Sequence, residues 1–295
     1  MKKLFLSLFF LSSLNLSAQK LNVDLEHYQK LAQLSKQSQA ELATADTLRF
    51  PWKEYGESGI RNSFIKTFYM TESNLTTLKN SFLPPANSSK QTQAELKYLL
   101  ELQEKRTQED INRSMYLANI GYFPYYLNPE NENYKRNLKD LFFFGYETFG
   151  EWMNAENFPK TSELLKGIMQ DMRAVEFNLK LHFRRPRPYH LEPQLKNLQR
   201  MQSPAFPSGH TLFAFTNALI FSELAPSSKA NFVALANELR FSREILGIHY
   251  PSDNEQARLI AEQMFKFWKA NPQFQKDLLA AKIEWSKESV KFLKK

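Results

Sequence analysis

The chain has 295 residues, 39 Lys and Arg against 31 Asp and Glu for a formal charge of +8, and no cysteine. That length buries a sizeable core without staples, and the missing cysteine excludes both a disulfide scaffold and a thiol-linked lipid anchor. The basic residues are dispersed, with no run and no interleaved stacking motif, so nucleic acid is not expected as a partner; the mild positive field suits small phosphorylated molecules.

In chain order, Lys2 and Lys3 open a positive n-region, LFLSLFFLSSLNL forms a short apolar h-region, and LSA precedes Gln19. This is the pattern of a signal peptide over residues 1–18. It predicts export to the periplasm or medium of a bacterium, and it removes two of the eight surplus charges. Residues 19–82 are polar, with patches of helical pattern such as LEHYQKLAQL, and read as a helical or partly disordered extension. LPP at 83–85 breaks any helix and opens the expected catalytic bundle, residues 83–275.

Amphipathic helical pattern covers 93–106, 134–153 and 162–183, and 25 phenylalanines suit a bundle core. No β-alternation persists, no Asn-Gly or Asp-Gly hairpin signal occurs, and no internal repeat is visible. The expected fold class is all-α. The apolar stretches at 141–144 and 211–221 fall well short of the roughly 20 residues a span needs, so no membrane span is expected once the leader is gone. Residues 276–295 read as a charged helix or tail, and a homo-oligomer is compatible with the sequence.

The segment after PSGH is apolar on nearly every face (Leu212, Phe213, Ala214, Phe215, Ala218, Leu219, Ile220, Phe221) and should be a central helix ended by Pro226. A second helix runs from about residue 228 through Arg243 to a stop near Gly247. His249 and Tyr250 then lie in a short loop, and Pro251 starts a third helix capped by Ser252 or Asp253.

Three segments concentrate the chemistry: KLHFRRPRP at 180–188, PSGH at 207–210 and SREILGIHYPSD at 242–253. They bring three cations, Lys180, Arg187 and Arg243, which together suit a group with several anionic oxygens, phosphate before carboxylate. Ser208 and Gly209 sit where the central helix begins, a place for anions. A neutral His249 is a candidate nucleophile, with Asp253 four residues on to hold its other ring nitrogen. His210 is then the general acid and later the base, which predicts an acid-to-neutral optimum. With a single acidic residue in the set, no metal or other cofactor is implied. Arg184 and Arg185 fall outside the pattern and are given a secondary place; His27, His182 and His190 are given none. Segments 120–134 and 188–206 are the candidates for pocket walls.

Written together, K-x6-R-P, P-S-G-H and S-R-x5-H-x3-D resemble the signature of the superfamily that holds type 2 phosphatidic acid phosphatases, bacterial class A non-specific acid phosphatases and vanadium haloperoxidases. The chain is most similar to the class A acid phosphatases, from LPP at 83–85 to about residue 270. The resemblance implies a helical bundle of the acid phosphatase/vanadium haloperoxidase type. It also implies a metal-independent phosphomonoesterase of broad range working through a phosphohistidine on His249. In it Lys180, Arg187, Ser208, Gly209 and Arg243 hold the phosphate, and vanadate binds as a phosphate mimic. The HYPSD around His249 also resembles lipid phosphatases, which leaves lipid or isoprenyl (pyro)phosphates open as substrates. A vanadium-dependent haloperoxidase, with vanadate on His249, is the other reading of the same pocket.

Overall fold

The computed structural model describes residues 20–38 and 45–293; the leader expected at 1–18 lies outside the described residues. Among the described residues there are helices and turns but no strand. In chain order the helices are α1 (Glu26–Ala32), α2 (Glu57–Asn62), α3 (Glu72–Ser81), α4 (Lys90–Lys105), α5 (Gln108–Ala118), α6 (Tyr134–Leu141) and α7 (Phe143–Phe149). They continue with α8 (Pro159–Phe183), α9 (Pro188–Leu191), α10 (Gly209–Leu224), α11 (Lys229–Ile245), α12 (Pro251–Lys269), α13 (Pro272–Glu288) and α14 (Val290–Leu293). None is long and apolar enough to cross a membrane.

The bundle is built around α10, which packs on α8, α11 and α12. Its residues from Thr211 to Ala218 are all buried, as expected of a helix apolar on every side. The longest helix, α8, begins with Pro159 at its first position, where a missing N–H costs nothing. Its free N-terminal amides are satisfied from α13: the Glu284 carboxylate accepts from Lys160 N at 2.7 Å and Thr161 N at 2.8 Å.

The continuous helix expected over 134–153 is instead two, α6 and α7, joined at Phe142. Phe142, Phe143 and Phe144 are all buried, at no more than 1 % exposure. The break falls at these three rings, which a straight helix would fan over about 200°.

The described part of residues 20–82 is woven into the bundle. Leu21, Tyr69, Met70, Leu75 and Leu78 join the main core. Asp171 of α8 accepts from the Tyr69 amide at 3.1 Å and from Trp268 Nε1 at 2.7 Å, and also holds the Phe68 amide. On α1, the Tyr28 hydroxyl bonds to Glu244 of α11, whose other carboxylate oxygen lies 2.9 Å from His27 Nε2.

Two backbone features then aim the site. Arg184 ends α8 in the left-handed region (φ 50°), and the following extended segment turns Arg185 and Arg187 inward, at 2 % and 1 % exposure. Gly247, with φ 68°, reverses the chain after α11 and delivers Ile248 and His249 to the same place; a side chain there would be strained.

Candidate active site

His249 follows Gly247 after a single residue, Ile248, and lies just before α12, whose first turn carries Asp253. The Asp253 carboxylate caps that helix, accepting from Tyr250 N at 3.1 Å, and the same Oδ2 lies 3.1 Å from His249 Nδ1. The cap therefore comes from Asp253; the Ser252 hydroxyl turns away to Glu95 Oε2 at 2.8 Å.

On the other side of the ring, Arg187 Nη1 lies 2.8 Å from His249 Nε2. A guanidinium can only donate, so Nε2 must accept and Nδ1 must carry the proton toward Asp253. Burial, then Arg187, holds the His249 imidazolium well below its ordinary range, so the ring is neutral. Burial by itself would raise Asp253, but Arg185 beside it and the His249 contact hold it at about 2. A neutral imidazole with its proton fixed on one nitrogen and a lone pair on the other is a nucleophile in waiting.

His210 is the second residue of α10. Its Nε2 lies 3.1 Å from the Ala118 carbonyl, which can only accept, so the neutral ring keeps its proton there and leaves Nδ1 open. Burial, then Arg243 and Arg173, also lowers this imidazolium well below its usual value.

The cations are held by carbonyl groups. Lys180 Nζ donates to Pro204 O at 2.6 Å and Pro207 O at 2.8 Å. Arg187 reaches Ser203 O at 2.9 Å and Ile248 O at 2.8 Å. Arg243 reaches Ser114 O at 3.2 Å and the Ser242 hydroxyl, with Nη1 buried and unpartnered. Burial, and next the neighbouring Arg187, pulls the Lys180 ammonium down to about 7 and Arg243 to about 9. Groups so disfavoured as cations are stabilised by any anion that enters.

Lys180, Arg187, Gly209, His210 and His249 line one cavity of about 490 Å³. Ser208 and Arg243, also expected in the site, are fully buried just behind that lining. The Ser208 amide donates to Asp253 O at 3.2 Å, and its hydroxyl accepts from Thr211 N at 3.4 Å, so Ser208 serves as the N-cap of α10. The amides of Gly209 and His210 that follow have no intrahelical acceptor. The walls come from both expected segments, with Phe123 and Tyr126 on one side and Arg200 to Ser203 on the other.

Two charged groups escaped the motif. Arg185, given only a secondary place from sequence, is a structural centre of the site. Its Nη1 donates to Asp253 Oδ1 at 2.7 Å and Ser252 Oγ at 2.8 Å, Nη2 lies 3.5 Å from Glu95 Oε2, and the guanidinium stacks on Tyr250. Alternation in the extended segment was the available signal, since residues two apart face the same way and Arg187 was already placed. The second is a pair on α8, Arg173 and Glu176, joined at 2.6 Å. With Lys180 they make a stripe of buried charges at helical spacing on α8, which the sequence displays but does not explain. Among the described residues no group of three or more His, Cys, Asp or Glu is placed to hold a metal ion.

Comparison with known proteins follows the same segments. Residues 164–275 match the PAP2 superfamily. A non-specific acid phosphatase of Providencia stuartii is 30 % identical over 147 residues, which is 48 % of this chain and 59 % of that protein. One from Salmonella typhimurium is 28 % identical over 142 residues, 46 % of this chain and 56 % of the relative. The chain thus spans under two thirds of the length of these relatives. A bacterial vanadium-dependent iodoperoxidase superposes with a TM-score of 0.51 over 77 % of this chain and 63 % of its own, at 18 % identity, which is a likeness of fold.

Proposed function

We propose that this chain, whose residues 164–275 match the PAP2 superfamily, is a phosphatase that hydrolyses phosphomonoesters through a phosphohistidine, without a metal ion. The observation that carries the reading is His249: its Nδ1 faces Asp253 at 3.1 Å and its Nε2 faces Arg187 at 2.8 Å, in a cavity shared with His210. The acid phosphatases it resembles support the same reaction class.

In this mechanism a phosphoryl group enters among Lys180, Arg187 and the free amides of Gly209 and His210, while Arg243 adds charge from behind. Arg187 passes its hydrogen bond from Nε2 to a phosphoryl oxygen, and the freed lone pair attacks phosphorus. The substrate's own acidic proton passes first to His210 Nδ1; the P–O ester bond then breaks, and the leaving oxygen takes that proton from Nδ1. Water then attacks the phosphohistidine and gives its proton to His210, the P–N bond breaks, and phosphate takes that proton from His210 as it leaves, so both histidines end neutral as they began. Asp253 stabilises the transient positive charge on His249, while the cations neutralise the equatorial oxygens in the transition state. Together with the leader pattern at 1–18, we assign the enzyme to the bacterial periplasm or medium.

Since both histidines are neutral in the empty site, the working proton on His210 must arrive with the substrate. A phosphomonoester loses its second proton near about pH 6, so kcat/KM should fall as pH rises beyond that point. On the acid side it should fall only where His249 becomes protonated, well below its ordinary value. The test is hydrolysis of p-nitrophenyl phosphate in EDTA over about pH 4 to 9, beside His249→Ala. The expected result is EDTA-resistant turnover, inhibited by vanadate, and reduced by about a thousandfold or more in the variant. Turnover restricted to isoprenyl or lipid phosphates would move the substrate class. Halide oxidation with vanadate and peroxide, without ester hydrolysis, would overturn the reading.

A further inference from the structure

Glu176 lies where the proposed mechanism needs an anion. Its side chain is buried, one turn before Lys180 on the same face of α8. Oε2 is 2.6 Å from Arg173 Nη1, and Oε1 is 4.0 Å from Lys180 Nζ. The carboxylate rests against the first residue of α10: a methyl group added to Gly209 would overlap Oε1 and crowd the other carboxylate atoms. Only glycine leaves room for this approach. Glu176, Arg173, Lys180, Gly209 and His210 all line the same cavity.

We infer that Glu176 is a specificity-determining residue that acts as an internal counter-anion: its carboxylate holds the phosphate cradle in the empty enzyme and competes with the incoming phosphoryl group. The inference rests on the phosphatase reading above. Lys180 and Gly209 cannot serve the carboxylate and a phosphoryl dianion in the same place, and two like charges this close in a buried site repel strongly. Substrate binding must therefore move the carboxylate off Gly209, leaving it on Arg173. When product forms, the tethered carboxylate returns and helps to expel inorganic phosphate. The cost is a weaker KM, and the gain is release from product inhibition. The residue thus tunes which anions the enzyme holds, through a competitor at high effective concentration.

The experiment measures binding of inorganic phosphate and vanadate by calorimetry, together with p-nitrophenyl phosphate kinetics, on wild type, Glu176→Gln and Glu176→Ala. Both variants remove the charge, and only Gln can donate a new hydrogen bond. Tighter phosphate and vanadate binding by about tenfold in both, a lower KM and stronger product inhibition are expected. A merely structural role would weaken binding instead. Unchanged or weaker binding in both variants, or tightening in Gln alone, would overturn the inference while wild-type turnover left the phosphatase reading standing. A wild-type protein that neither binds phosphate nor hydrolyses any phosphate ester, with variants no better, would overturn both. If neither variant folds, a crystal of wild type with vanadate decides the matter. The carboxylate should have left Gly209, and a carboxylate still resting there beside bound vanadate refutes the competition.

Discussion

Arg185 holds no position in the motif, yet its guanidinium lies between two buried carboxylates, Asp253 at 2.7 Å and Glu95 at 3.5 Å. Burial pushes Glu95 up to about 7 against the pull of Arg185, while Asp253 stays at about 2. The orientation of His249 therefore depends on a chain of contacts running from Arg185 to Asp253 to His249. Removing one partner from such a buried group leaves uncompensated charge, which is far more costly than the intact pair is stabilising. Arg185→Ala should lower unfolding stability by about 3–5 kcal/mol, measured by denaturant titration, and should reduce kcat in whatever fraction stays folded. A variant of normal stability and activity would remove Arg185 from this role.

At the scale of elements, three helices meet at their ends around the cavity: the C-terminal turn of α8, the start of α10 and the start of α12. Each end is shaped by one or two residues, Arg184 in the left-handed region, Ser208 as an N-cap, and Asp253 as both helix cap and partner of His249. Gly247 is the fourth device, since its φ of 68° sets where His249 emerges after α11. Gly247→Ala should cost about 1–2 kcal/mol of stability from the left-handed backbone alone. Because the link to His249 is only one residue long, kcat should fall further than stability explains. Thermal unfolding and single-turnover rates on the same sample separate the two effects. A loss of stability with kcat intact would mean that the loop holds His249 independently of the glycine.

At the scale of the whole molecule, the helices around the cavity are braced from both ends of the sequence. α1 reaches Glu244, next to Arg243, through Tyr28 and His27, and Glu244 Oε1 also accepts from Asn254 Nδ2 at 2.7 Å. Asn254 Oδ1 in turn accepts from the Thr211 hydroxyl, at 2.8 Å, on the first turn of α10. The boundary expected between residues 275 and 276 falls within α13, whose Phe274 and Ala281 are buried. Deleting residues 1–38 should therefore lower Tm by several degrees, because it leaves the buried Glu244 without its α1 partners and uncovers the core around Leu21. Differential scanning of the truncated and full-length chains checks this; equal Tm values would show that α1 contributes nothing to the bundle.

The sequence by itself determined the helical class, the helices that follow PSGH and the set of groups that we propose hold and cleave a phosphate ester. Helical periodicity and helix-end residues are local signals, and fixed spacing between chemical groups survives in a linear string. What only the tertiary structure decided were relations between residues distant in sequence. Glu95 meets Ser252 and Arg185 across the bundle, Glu284 caps α8 from the far end of the chain, and α6 breaks from α7 at three buried rings. The tautomer of His249 and the place of Glu176 against Gly209 belong to the same group. Both are set by low-dielectric contacts between separate helices, where burial decides which protons and charges persist, and burial is a property of the assembled fold.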